Sequence, residues 1–247
     1  MRRKLASAAS LEIHSSLDST SLEAKRRAAA GEAGPVWIIA LNQTAGYGRR
    51  GSEWRQQEGD IAATYLYREC EPPDRAPQLS FVAALSVGDA IQRFAPRAAI
   101  SFKWPNDILL DGAKVAGLLL ELLSAEREPV IAFGVGVNVV SAPAGLPYRT
   151  ARLVDVIEAP PSPAEFVAVL DETYDIWADE WRKRGFACVR EAWTARAYGM
   201  GAKAKVIAAA GEASGIIAGI GEDGALLLDT DAGRRSIAAG SLFIEQS

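Results

Sequence analysis

Histidine and cysteine are almost missing from this 247-residue chain, which holds one histidine, His14, and two cysteines, Cys70 and Cys188. A single imidazole removes most zinc-site arrangements, and two distant thiols give neither a disulfide framework nor metal-ligand spacing. No dedicated metal site is therefore expected. Nowhere is there an apolar run of the roughly 18 residues that would span a bilayer. The basic start, Met1-Arg2-Arg3-Lys4, leads into a stretch broken by Ser7, Ser10 and Glu12, so no signal peptide is expected and the cytoplasm is the default location. An excess of positive charge is missing too. The formal net charge is −4 and the isoelectric point 5.3, which argues against a general nucleic-acid binder and requires any positive site to be local.

What remains is a chain that is 49% hydrophobic and 23% charged, ordinary for a folded protein with a real core. Its length suits one large domain or a medium domain carrying a small one. A first helix is expected from Leu22 to Ala30, capped by Asp18 or Ser19 and stopped by Gly31 and Gly34. Strands are expected over 36–41 and 60–68, and a helix over 77–94. Four successive strands follow at 98–104, 108–110, 113–123 and 129–139. Asp111-Gly112 between two apolar runs marks a tight hairpin. Residues 162–184 carry the clearest helical periodicity, with Trp177 and Trp181 as core, and a shorter helix covers 186–196. After Tyr198 short β-type segments alternate with glycine and acidic turns, the texture of a small barrel.

Three segments carry chemistry. Gly46-Tyr47-Gly48-Arg49-Arg50-Gly51 follows a strand and matches a dinucleotide-binding pattern, but the seven residues before Gly59 leave no room for the crossover helix that fold needs. It is better taken as a loop whose glycine N–H groups, arginines and Trp54 bind a phosphate or carboxylate beside a ring. In the hairpin, pairing Leu110 with Ala113, Leu109 with Lys114 and Ile108 with Val115 puts Asp107, Leu109, Lys114 and Ala116 on one face. Lys114 then reaches Asp107 diagonally, either as a surface ion pair or as an ammonium positioned for a substrate; the neighbouring Lys103-Trp104-Pro105-Asn106 favours the second. Gly134 and Gly136, with Asn138 on the same face of one strand, admit either a ligand or a closely packed neighbour.

Together these segments resemble the biotin protein ligase family, in a form without an N-terminal DNA-binding domain. The resemblance rests on Asp18-Ser19-Thr20, Gln43 with the loop Gly46 to Trp54, Lys103-Trp104-Pro105-Asn106-Asp107, Lys114-Val115-Ala116-Gly117, Gly134-x-Gly136-x-Asn138 and the segment Gly219 to Leu228. It implies an α+β fold. Residues 1–198 would form a mixed-sheet catalytic domain of the class II aminoacyl-tRNA synthetase and biotin synthetase type, and 199–247 an SH3-like β-barrel. It further implies a ligase that makes biotinyl-5′-adenylate from biotin and ATP with Mg2+, then transfers biotin to a lysine of a biotin carboxyl carrier protein. Biotin would be bound by Ser19, Thr20, Ser21, Gln43, Gly46, Tyr47, Gly48, Arg49, Lys114 and Gly117. Nucleotide would be bound by Arg49, Trp54, Lys103, Asn106, Gly134, Gly136 and Asn138, and catalysis would fall to Lys114, Arg49 and Asp107.

The chain departs from the family pattern in three places. Tyr47 and Ser52 stand where arginines are common, with Arg55 placed to make good the second loss. Ser21 replaces a frequent Asn, and Asp60-Ile61 replaces Asn-Leu. Only 17 residues precede Asp18, too few for a three-helix DNA-binding domain, so no operator binding is expected. No nucleic acid or membrane partner is expected, and a homodimer is compatible with the sequence. The competing readings are a lipoate or octanoate ligase of the same fold and a non-catalytic nucleotide-binding regulator.

Overall fold

The structure, a computed structural model, describes residues 3–5, 7–124 and 127–245; Met1 and Arg2 of the basic start lie outside them. The first element is not the expected helix but a pair of short strands, β1 (Arg3–Lys4) and β2 (Ser10–His14). β2 buries Leu11, leaves Ile13 exposed further along the same face, and pairs in parallel with β3 (Val36–Ala40). Between them runs α1 (Thr20–Ala29), the crossover that a parallel pair requires. The remaining strands of this sheet are β4 (Ile61–Arg68), β5 (Ile100–Lys103), β6 (Asp107–Leu110), β7 (Ala113–Leu122) and β8 (Val130–Val137). They are antiparallel to their neighbours in the order β1-β2-β3-β4-β8-β7-β6-β5, which makes the sheet mixed.

Strand periodicity divides the sheet into two faces. Trp37, Ile39, Tyr65, Ile131 and Phe133 join the main core, where α2 (Leu79–Phe94), α3 (Pro163–Arg184) and α4 (Phe186–Thr194) pack. α2 starts two residues later than its periodicity suggests, because Pro73–Gln78 is taken up in a 3-10 turn containing Pro77. α3 opens on a capping box between Ser162 and Glu165 with Pro163 at its first position. Val36, Ile38, Leu66, Val130 and Ala132 point the other way and pack with Ala24 of α1. α1 is only 10 residues long, so it covers part of that face. Beyond its N-terminus the same face continues as Ala62, Gly134 and Gly136, positions with little or no side chain, and there a cavity opens.

The β6–β7 hairpin turns on Asp111 and Gly112, both at positive φ (49° and 73°), as a two-residue turn of this kind requires. The expected pairing holds for Leu110 with Ala113 and Leu109 with Lys114. It then slips by one, so that Ile108 faces Ala116 and Asp107 faces Gly117. Val115 is the extra residue of this bulge. Val115 and Ala116 are therefore both fully buried, and Gly117 takes the place beside Asp107 and Lys114 that Ala116 was expected to hold.

The C-terminal residues form a five-stranded antiparallel sheet in the order β12-β11-β10-β9-β13. Its strands are β9 (Lys203–Ala208), β10 (Gly211–Ile220), β11 (Leu226–Thr230), β12 (Gly233–Ile237) and β13 (Ser241–Ile244). Ala204, Val206, Leu226 and Leu228 join the main core cluster, and β10 packs against α4, so the small sheet shares the core of the large domain. The Trp104 indole adds a polar tie, donating to the Gly224 carbonyl at 3.3 Å. No helix among the described residues is long and apolar enough to cross a membrane.

Candidate active site

The cavity on the α1 face has a volume of about 820 Å³, within the range of small-molecule sites. One end is built by the start of α1. Ser19 occupies the cap position but makes no capping bond with its own side chain. The Gln43 amide oxygen does that instead, accepting from the Thr20 N–H at 2.8 Å and from Thr20 Oγ1 at 3.2 Å. Thr64 Oγ1 donates to Thr20 Oγ1 at 2.8 Å and lies 3.2 Å from Ser21 Oγ. The hydroxyls of Thr20 and Ser21 are thus held in place at the positive end of a helix. Asp18, just outside, is committed elsewhere: hydrogen bonds from Arg26 and from the Ser19 N–H hold its carboxyl down to about 2.

The glycine–arginine segment forms a closed loop. Gly48 N donates to Ser52 O at 2.7 Å, Trp54 N donates to Gly46 O at 2.9 Å, and Tyr47 bridges Glu53. Arg50 sits at φ 56°, a left-handed conformation that costs a non-glycine residue on the order of 1 kcal/mol. The loop closes with Trp54 lying on the stripped strand. A Cβ on Gly136 would come within 2.2 Å of the indole, and one on Gly117 within 3.2 Å. The closely packed neighbour that the two glycines were open to is thus Trp54 at Gly136, and Ser21, 2.8 Å from a Cβ on Gly134. The Trp54 Nε1 is buried and has no hydrogen-bond partner among the described residues.

Positive charge converges on the opposite wall. Lys114 Nζ lies 2.7 Å from Asp107 Oδ1, with about a fifth of each side chain exposed. Burial lowers the Lys103 ammonium below the ordinary lysine range, and Lys114 adds to this while Asp107 opposes it. Burial likewise lowers Arg49, helped by neighbouring Arg50. Arg49 Nη1 is 3.4 Å from both Asn106 Oδ1 and Gly240 O, so it links the loop to the Lys103–Asp107 turn and to the C-terminal sheet. Asn106 is itself fixed to β7 through Leu118 O at 2.7 Å. Such a cluster is built for an anion that restores the solvation these cations have lost.

Every site residue expected from the sequence lines this cavity except Gly46, which is buried beneath the loop against Gln43 and the Trp54 carbonyl. Asn138, expected to bind nucleotide, has its Nδ2 already facing the carbonyls of Lys114 and Ala151 at 3.4 and 3.3 Å. Arg55 does not stand free to replace the arginine missing at Ser52, because Glu53 pairs with it at 2.9 Å. Asp60, read as a departure, is a buried collar. Its Oδ1 accepts the N–H groups of Val139, Val140 and Ser141 at 2.9, 2.9 and 3.0 Å, and its Oδ2 accepts from Gln57 N and Ser141 Oγ.

Sequence reasoning missed a further wall. Residues 143–148 and Thr150 line the cavity, and the Tyr148 ring lies 5.5 Å from Lys114 Nζ. This segment is clamped to β7 by Lys114 N to Arg149 O and Ala151 N to Lys114 O, at 2.8 and 2.9 Å. Its Pro-Ala-Gly-Leu-Pro-Tyr run is loop-forming and carries an aromatic, but nothing in the local sequence ties it to Lys114. Residues 240–243 of the C-terminal sheet, likewise unanticipated, complete the rim.

This geometry has counterparts. Residues 15–138 match the Biotin/lipoate A/B protein ligase family, and residues 205–244 match the Biotin protein ligase C terminal domain. The chain is 39% identical over 239 residues to a biotin–[acetyl-CoA-carboxylase] ligase of Paracoccus denitrificans, covering 92% of this chain and 97% of that protein. It is 30% identical to the protein of that name from Mycobacterium tuberculosis, covering 94% and 88%. In fold it superposes on the biotin protein ligase of Aquifex aeolicus, solved with biotin and ATP, with a TM-score of 0.82 at 24% identity over 96% of this chain and 99% of that one. The chain belongs to the biotin/lipoate A/B protein ligase family. Within it, the C-terminal match and both relatives place it with the biotin protein ligases.

Proposed function

We propose that this protein attaches biotin to a lysine of a carboxylase's biotin carboxyl carrier domain in the cytoplasm, in two steps. A biotin carboxylate oxygen attacks the ATP α-phosphorus, giving biotinyl-5′-adenylate as pyrophosphate leaves. The neutral amine of the carrier lysine then attacks the acyl carbon, forming the amide as AMP leaves and the surplus proton passes to water. The first step presses two anions together, so fixed cations that act on the developing charge do most for its rate.

The observation that carries this reading is Lys114, held by Asp107 on the wall of a cavity that Lys103 and Arg49 also line. In this reading Lys114 faces the carboxylate and the α-phosphate, and Asp107 fixes its position. Arg49 lies across the phosphate. Ser19, Thr20, Ser21 and Gln43, with the backbone around Tyr47 and Gly48, receive the biotin ring. Trp54 and Asn138 border the adenine, and a ligand acceptor would satisfy the orphan indole N–H. Magnesium would arrive on the ATP phosphates. Incubation with biotin, Mg·ATP and a carrier domain tests the proposal through the mass of the carrier. A biotinyl increment is expected. Preferential transfer of lipoate would overturn the substrate, and nucleotide binding without any transfer would overturn the activity.

A further inference from the structure

Tyr47 ties the arginine loop to the molecule through side chains that the reaction scheme leaves unused. Its Oη donates to Glu121 Oε2 at 3.1 Å. Lys25 Nζ lies 2.8 Å from Oε1 of the same carboxylate and 5.2 Å from the centroid of the Tyr47 ring. The three residues come from three walls of the cavity: the loop, α1 and β7. α1 also carries Thr20 and Ser21, and β7 carries Lys114 and Gly117, so this contact sets the spacing of the walls on which a ligand would rest. An arginine at position 47, which the family pattern favours, would place a second cation beside Lys25 on one carboxylate. The phenol supplies a neutral donor and a ring face for the ammonium.

We infer that Tyr47, Glu121 and Lys25 form a clasp that holds the loop over the pocket before any ligand arrives, which makes Tyr47 a positioning residue. That the pocket receives biotin rests on the reading above; the ordering of the loop does not. The backbone agrees with a loop closed in advance: it is already tied across itself from Gly46 to Trp54, with the indole seated on Gly136. Arg50 and Arg55 are exposed on it and report its opening as trypsin sites.

Limited trypsinolysis of the full chain without ligand tests the clasp, comparing the native protein with Tyr47→Phe, Glu121→Ala, the double variant and Glu121→Gln. Each of the first two variants should be nicked at Arg50 and Arg55 about three- to tenfold faster, as expected for loss of a partly exposed hydrogen bond to a carboxylate. The double variant should be no worse than the worse single, because both remove one interaction. Glu121→Gln keeps an acceptor for the phenol and should restore most of the protection. The faster nicking should be confined to Arg50 and Arg55, whereas a general loss of stability would speed cleavage throughout the chain. The biotin concentration giving half-maximal protection should be little changed, because a mostly closed loop is already competent to bind. Nicking unchanged in Tyr47→Phe, or additive effects in the double variant, would overturn the clasp. A native chain that biotin does not protect would overturn the biotin reading and leave the ligand-free comparison intact.

Discussion

Replacing Lys114 with alanine should slow adenylation far more than it weakens biotin binding. The ammonium sits 2.7 Å from Asp107 with 18% of the side chain exposed, so its field is only partly screened. A charge at about 4 Å under an effective dielectric near 20 contributes about 4 kcal/mol. The ground-state carboxylate is a single anion facing an ammonium that Asp107 already partly neutralises, and it should lose about tenfold in affinity or less. In the proposed reaction the carboxylate and the α-phosphate would share that ammonium in the transition state, and loss of such a donor typically slows the step by about 10²–10³-fold. Removing Lys114 also leaves the Asp107 carboxylate facing both anions. Adding Asp107→Asn to Lys114→Ala should therefore recover part of the loss in the first step. Single-turnover pyrophosphate release at saturating biotin and ATP measures the rate, and calorimetry measures biotin affinity separately. Equal losses in the two would make Lys114 a plain binding residue, and a further slowing in the double variant would mean that Asp107 acts on the substrate directly.

Three other outcomes follow from the same geometry. Gly136→Ala places a methyl where the Trp54 indole lies; it should displace the ring, raise the acrylamide quenching of tryptophan fluorescence and weaken ligand binding by about 1–3 kcal/mol. Burial lowers Lys103, and a nucleotide anion would raise it again. ATP binding at alkaline pH, below the ordinary lysine value of roughly 10.4, should therefore take up protons, seen as a dependence of binding enthalpy on the buffer. Glu69 is buried, which raises its carboxyl, but Arg182 at 2.9 Å outweighs this and leaves it below its ordinary value. The stability this pair contributes is present above the ordinary glutamate range and is lost as pH falls through the lowered one. Arg182→Met should cost about 3 kcal/mol at neutral pH by leaving Glu69 buried and unpaired, read by denaturant unfolding, and should flatten the acid limb.

Much of the core was legible in the sequence because its signals are local. The period of Phe166, Leu170, Tyr174 and Trp181 gives α3 by itself, and Asp111-Gly112 gives the hairpin. The Asp107–Lys114 contact was also reachable, since a diagonal pair survives a one-residue slip. The slip itself was not, because Val115 and Ala116 are both apolar and only packing decides which is the extra residue. β2 escaped notice because its pairing partner, β3, lies beyond a helix. Gln43 shows the general difficulty: the family resemblance implies a ligand contact, and nothing local shows that its amide oxygen also caps a helix 23 residues earlier in the chain. The family pattern marked Asp60 as a deviation, whereas its four backbone N–H donors come from two segments about 80 residues apart. The loop at 143–150 joined the site for the same kind of reason, through backbone bonds to Lys114 that no side-chain pattern encodes.

Transfer of biotin to a carrier is the decisive measurement. With biotin and Mg·ATP, the native chain should add one biotinyl group to the carrier domain's lysine, release AMP in equal amount, and do so at a rate that collapses in Lys114→Ala. A carrier left unmodified by native protein that binds both biotin and ATP would contradict the account.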